Sequence, residues 1–306
     1  MMSPDSVSIL VSSVLGLVLA IPSNTCIVMG NLDIIRKKGK LSPTDVIFLA
    51  KGIVNILLQC MLSLQEMIYA LFLVYILQYF VFMNTSINFL IYYNYWLTFW
   101  LSAHYCTSIT NLSYGFFIWL KRIVSNFLSQ LLFLTALGMF IVSVLGFWAY
   151  NEEGLIQSSV NSTNISVNSL DKAFSYLVSA NTLGIILPLC LSLLCLVLSF
   201  SFLLRHVWRV KNNDSGSTRP NLQAHVTALR TIFFLLIIYT FYCMSQVITF
   251  LPSSSLSIFL WNLQLLSPSV EAAVIFQASN KLRRIIVRRF WTRSWRNTET
   301  YNVENA

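Results

Sequence analysis

Residues 94–123 read NYWLTFWLSAHYCTSITNLSYGFFIWLKRI. The first half is apolar and aromatic, with small polar groups scattered through it, and the second half stops at Lys121-Arg122. A sparsely polar aromatic segment closed by a basic pair is the pattern of a membrane helix where it meets the cytosol. The whole chain agrees with that reading. Of 306 residues 56% are hydrophobic and 10% are charged, whereas a soluble domain is about a quarter charged. So much apolar surface with so few charges is satisfied by lipid. The net charge of +9 does not point to nucleic acid, because the cations sit in short blocks between apolar runs, which is a membrane-orientation pattern.

Working outward, seven apolar runs are long enough to cross about 30 Å of hydrocarbon at about 1.5 Å per residue. They are residues 7–30, 44–69, 86–109, 127–150, 176–207, 231–251 and 256–276. The first is read as an anchor rather than a cleaved leader, since no basic residue precedes it and it exceeds an ordinary leader's apolar core. Residues 70–82 stay apolar and read as an interfacial or upright helix. The third run is expected to continue as helix to Lys121, and Pro188 is expected to kink the fifth by removing a backbone bond. Residues 1–280 thus form an all-α, seven-helix membrane domain, and residues 281–306 a basic tail. In that tail seven Lys and Arg interleave with Leu282, Ile285, Ile286, Phe290, Trp291 and Trp295, which suits a short amphipathic helix on the anionic inner leaflet.

Charge sets the expected orientation. Of 20 Lys and Arg, 18 fall in the first, third and fifth connections and the tail; only Lys172 falls in the opposite set. The cation-rich side is cytosolic, which puts the amino terminus outside and the tail inside. The sequons at Asn161 and Asn164 lie in the long polar connection on the predicted outer side, where glycosylation occurs. The six cysteines all lie in apolar runs with no CxxC, and read as small buried hydrophobes rather than a disulfide or metal framework. No internal repeat is visible, which weighs against a transporter built from repeated halves.

Seven spans with an outer amino terminus resemble a G-protein-coupled receptor, but there is no Asp-Arg-Tyr after the third span and no Asn-Pro-x-x-Tyr in the seventh. The chain instead resembles the taste receptor type 2 family, the bitter receptors. The resemblance rests on Asn111-Leu-Ser113 with Phe117-Ile-Trp119-Leu-Lys121-Arg-Ile123, on Leu203 to His206, and on Ala224-His225-Val-Thr-Ala228-Leu229-Arg230. Asn24 with Asn31 and Leu41-Ser42 with Asp45 match as well. The chain departs from the family at Gly52-Ile53, where a Ser-Arg pair is usual, and at Pro268-Ser-Val-Glu271-Ala272, where Pro-Ser-x-His-Ser is usual. The resemblance implies a divergent member: a plasma-membrane chemosensory receptor for small bitter organic molecules, coupled to a heterotrimeric G protein with a gustducin-like α subunit. It implies no enzyme activity, cofactor, metal or nucleic acid. It places Lys121, Arg122, His206, His225 and Arg230 on the G-protein-facing surface, and Trp96 at a pocket tryptophan's position. A type 1 vomeronasal-like receptor is close in fold, but the Ala224-His225 block favours the bitter family. A small channel or transporter would need polar faces along several spans.

Lys51 and Glu271 sit at similar depths, about 10–15 Å from the predicted inner face. Two readings stand open: they pair, joined by Asn24 and Asn55 in an inner polar network, or Lys51 snorkels to the interface and Glu271 is protonated. Glu66, near the outer end of the second span, faces either a ligand pocket or the headgroups. A pocket carboxylate would attract amines. Trp96 and Trp100 are a helical turn apart and could face Trp261 and Gln264 on the seventh span. Tyr239, Tyr242 and Gln246 on the sixth are further ligand candidates. The alternative for these aromatics is bundle packing or an interfacial belt.

Overall fold

The first turn of the chain is written in a handful of residues. Helix α1, Pro4–Lys38, carries Arg36, Lys37 and Lys38 in its last turn, where cations complement the exposed carbonyls. Gly39 then takes φ 66° and its N–H bonds Ile35 O at 2.8 Å, the left-handed stop that glycine makes without steric cost. Ser42 restarts the helix: its Oγ accepts the Asp45 N–H at 3.3 Å, and Pro43 opens the first turn, where its missing N–H is not needed.

The computed structural model describes residues 4–72, 77–109, 122–124, 126–159, 175–212, 219–248, 255–279 and 282–285. After α1 come α2, Pro43–Phe72, α3, Leu77–Ile109, and α4, Leu128–Ser159. Residues 175–181, a π-helical turn at Thr182–Ile186 and α5, Leu187–Asn212, follow one another directly. Then come α6, Arg219–Ile248, and α7, Ser255–Ala278. Two differences from the sequence reading stand out. The apolar residues around 70–82 prolong α2 and lead α3, and α4 runs on past Tyr150 to Ser159 into what reads as loop. The predicted helix over residues 110–121, the sequons at Asn161 and Asn164, and nearly all of the tail lie outside the described residues.

Helix α3 is the hub, packing against α2, α4, α5 and α6, while α1 packs on α2 and α7. Polar side chains point into the bundle: Asn24, Lys51, Asn55, Gln59 and Ser102 are each 0% exposed. Large apolar side chains point out, with Phe133 at 72% and Leu134 at 64% exposure on α4 and runs of the same kind on α1, α5 and α6. In water this inside-out distribution would be ruinous, and in hydrocarbon it is the stable one. Over the described residues five of the helices are long and apolar enough to cross a membrane. Helix α3 carries Tyr, Trp, Asn and Ser among its aliphatics. All six cysteines are free thiols, but Cys60 and Cys190 are exposed rather than buried. A thiol is weakly polar and sits as well against lipid as in a core.

Candidate functional site

Five helices meet at one buried polar cluster. From α2, Lys51 Nζ donates to Asn94 Oδ1 on α3 at 2.8 Å, to the Tyr239 hydroxyl on α6 at 2.6 Å, and to Glu271 Oε2 on α7 at 3.4 Å. Asn94 Nδ2 donates to Asn55 Oδ1 at 2.9 Å and reaches both Glu271 oxygens at 3.2 Å. Asn55 Nδ2 donates to Glu271 Oε2 at 3.1 Å and lies 3.4 Å from Asn24 Oδ1. Asn24 on α1 in turn donates to Ala20 O at 2.9 Å and Pro268 O at 3.1 Å.

The chemistry of this cluster is complementary throughout. An ammonium brings donors only, a carboxylate acceptors only, and three amides bridge them. A charge held in hydrocarbon without such partners costs about 2.5 kcal/mol or more, so the network offsets the cost of burying both ions. Of the two readings open for Lys51, the structure takes the paired one. It also adds two members that depth-matching of charged residues overlooks. Asn94 sits in the very stretch that reveals the fold, an amide between Tyr93 and Tyr95 in an apolar run. Tyr239, expected at a ligand pocket, is buried against Lys51, and Tyr95 donates to its carbonyl at 2.8 Å.

One contact lies farther from the basic turn. Trp261 Nε1 donates to Glu66 Oε1 at 3.0 Å, tying α7 to α2, and Gln264 is buried three residues along α7. Trp96 faces α5 instead, its Nε1 donating to Leu183 O at 3.2 Å. The cause lies in α5's start. Pro188 has no N–H, and the Leu187 N–H bonds Thr182 O in the wider π pattern. Leu183 O is thereby left without a helical donor, because its π partner would be Pro188. The indole N–H of Trp96 fills that gap. The expected kink at Pro188 is therefore a π-helical turn. Beside it the Tyr92 hydroxyl is 3.0 Å from Asn181 Oδ1, and a Cβ on Gly184 would fall inside the Tyr92 ring.

Trp100 turns to a third neighbour, donating to Thr135 Oγ1 on α4 at 3.1 Å. The three tryptophans thus bond to three different helices and do not face one another as the spacing suggested. Four residues advance about 400° rather than 360°, enough to send Trp96 and Trp100 to adjacent helices. Arg122 and Arg230 are exposed. The side chains of Tyr242, Gln246, His206 and His225, and all of Lys121, lie outside the described residues.

The sequence model of the taste receptor protein family (TAS2R) matches residues 1–294. The chain belongs to the TAS2R family. Among its relatives, taste receptor type 2 member 40 of Gallus gallus is 25% identical over 214 residues, covering 68% of this chain and 69% of its own length. Taste receptor type 2 member 41 of Rattus norvegicus is 27% identical over 269 residues, 83% of this chain and 87% of its own. Member 9 of Macaca mulatta is 27% identical over 287 residues, 87% of this chain and 88% of its own. This TAS2R chain is accordingly a multi-pass membrane protein of a chemosensory receptor family, not an enzyme, and at these identities a divergent member.

Proposed function

We propose that this receptor binds small bitter organic molecules in the outer half of its bundle and, when an agonist is bound, activates a heterotrimeric G protein with a gustducin-like α subunit. The observation that carries the reading is the family match over residues 1–294. The orientation that goes with it has the amino terminus outside, glycans at Asn161 and Asn164, and the 18 clustered cations in the cytosol.

Trp96, Glu66, Trp261 and Gln264 are the ligand-facing set we favour, with Tyr242 and Gln246 on α6. Trp100, bonded to α4, serves packing. An agonist acts only through unequal affinity for two states of the bundle. The Lys51 cluster gives those states a physical form, because any shift of α6 must stretch the Lys51–Tyr239 and Tyr95–Tyr239 bonds. Lys121, Arg122, His206, His225 and Arg230 then meet the G protein.

The test is a panel of bitter compounds on cells expressing the receptor, with calcium release read with and without a co-expressed gustducin-like α subunit. The expected result is a response that needs the subunit and falls in Trp96→Ala. Ion or solute flux that persists without any G protein would replace this reading by a channel or transporter.

A further inference from the structure

We propose that Glu66 is the anchor for a ligand cation, so that this receptor takes ammonium compounds in preference to uncharged molecules of the same shape. The inference deepens the outer-half pocket reading and rests on it.

The argument begins with the charges inside the bundle. Beyond the first turn of α2, three such side chains are buried within the described bundle: Lys51, Glu66 and Glu271. Lys51 and Glu271 satisfy each other at 3.4 Å. Glu66 lies fifteen residues farther along α2 than Lys51, about 22 Å at the helical rise, out of reach of any lysine side chain. Among the described residues no cation lies within ion-pair distance of it. The sequence offers little more, since Lys172 is the one Lys or Arg in the connections on that side of the bundle.

Glu66 is nonetheless drawn into the protein. It is 8% exposed, and one neutral donor, the Trp261 indole, serves Oε1. Among the described residues Oε2 takes no hydrogen bond, so one carboxylate oxygen is fixed and the other is left without a donor there. The neighbouring amides and hydroxyls are engaged elsewhere: Asn262 Nδ2 donates to Ser8 Oγ at 3.0 Å, and Gln59 Nε2 to Ser63 Oγ at 3.2 Å.

A buried carboxylate with a single neutral donor is under-served. An ammonium group supplies the missing counter-charge at Oε2. An uncharged group of equal shape brings no such counter-charge.

The experiment uses the purified full-length receptor in nanodiscs and reads thermal stabilisation by benzyltrimethylammonium and by neopentylbenzene, its uncharged isostere. The expected result is half-maximal stabilisation by the cation at a concentration at least about tenfold lower than by the isostere. Glu66→Gln, which keeps an acceptor for the indole, should bring the two within about twofold, and Glu66→Asp should retain part of the preference. Equal stabilisation by both compounds, none by the cation, or a preference that survives Glu66→Gln would overturn the proposal. Because no G protein is involved, this result is separate from the signalling test. A receptor that signals to neutral agonists without cation preference keeps the function and loses this site.

Discussion

The cluster around Lys51 and the contacts around Glu66 and Trp96 differ in how completely each polar group is held. In the first, every member has two or more partners spread over α1, α2, α3, α6 and α7. In the second, one bond joins each pair of helices: Trp261 to Glu66 and Trp96 to Leu183 O. A group held by one bond exchanges it for a ligand at little cost. A group held by several moves only if its partners move with it. The Glu66 and Trp96 contacts are therefore the easier to exchange, and the Lys51 cluster changes all at once.

The sharpest way to break that contrast is to remove one ion of the buried pair. Lys51→Met leaves the Glu271 carboxylate facing amides alone, and losing one partner of a buried pair costs about 3–5 kcal/mol. Surface expression, read by antibody on intact cells, should collapse. Lys51→Glu should do the same, and adding Glu271→Lys should restore part of both expression and signalling. A double reversal no better than Lys51→Glu would mean that the pair contributes nothing as a pair.

Next in size is a test of why Trp96 faces α5. Pro188→Ala returns an N–H to the helix and removes the reason for the π turn, so Leu183 O regains a backbone donor. In the parent receptor Trp96→Phe should cost about 1 kcal/mol of thermal stability, the ordinary worth of one hydrogen bond. In the Pro188→Ala background the same change should cost almost nothing. A cycle with equal costs in both backgrounds would show that the indole N–H does not serve the orphaned carbonyl.

These two tests also mark where the sequence was readable and where it was not. Seven apolar runs, their basic connections and the family motifs are local features, so helix number, membrane character and family were open to inspection. The depth of Lys51 and Glu271 was legible too, because helical rise converts sequence offset into height. Rotation about the helix axis was not, since it depends on neighbours that periodicity does not name. That is why Asn94 passed unnoticed and the contact of Tyr239 with Lys51 was not foreseen. The π turn hides for a related reason. Pro188 announces a missing N–H, but whether the helix kinks or widens is settled by what packs beside it, here Gly184 against the Tyr92 ring.

The smallest effect separates two residues that look alike on paper. Trp96 and Trp100 share composition, helix and neighbourhood, but Trp100 donates to Thr135 Oγ1, a hydroxyl that itself donates to Leu131 O at 2.6 Å. Thr135 keeps that second bond if the indole N–H is removed, so no acceptor is stranded as Leu183 O would be. Trp100→Phe should therefore cost about 0.5–1 kcal/mol or less, with agonist potency unchanged when scaled to surface expression. Trp96→Phe, by contrast, should alter potency as well as stability. If Trp100→Phe shifts potency as much as Trp96→Phe does, the proposed ligand-facing set extends to α4, and the division between exchangeable contacts and packing has been drawn in the wrong place.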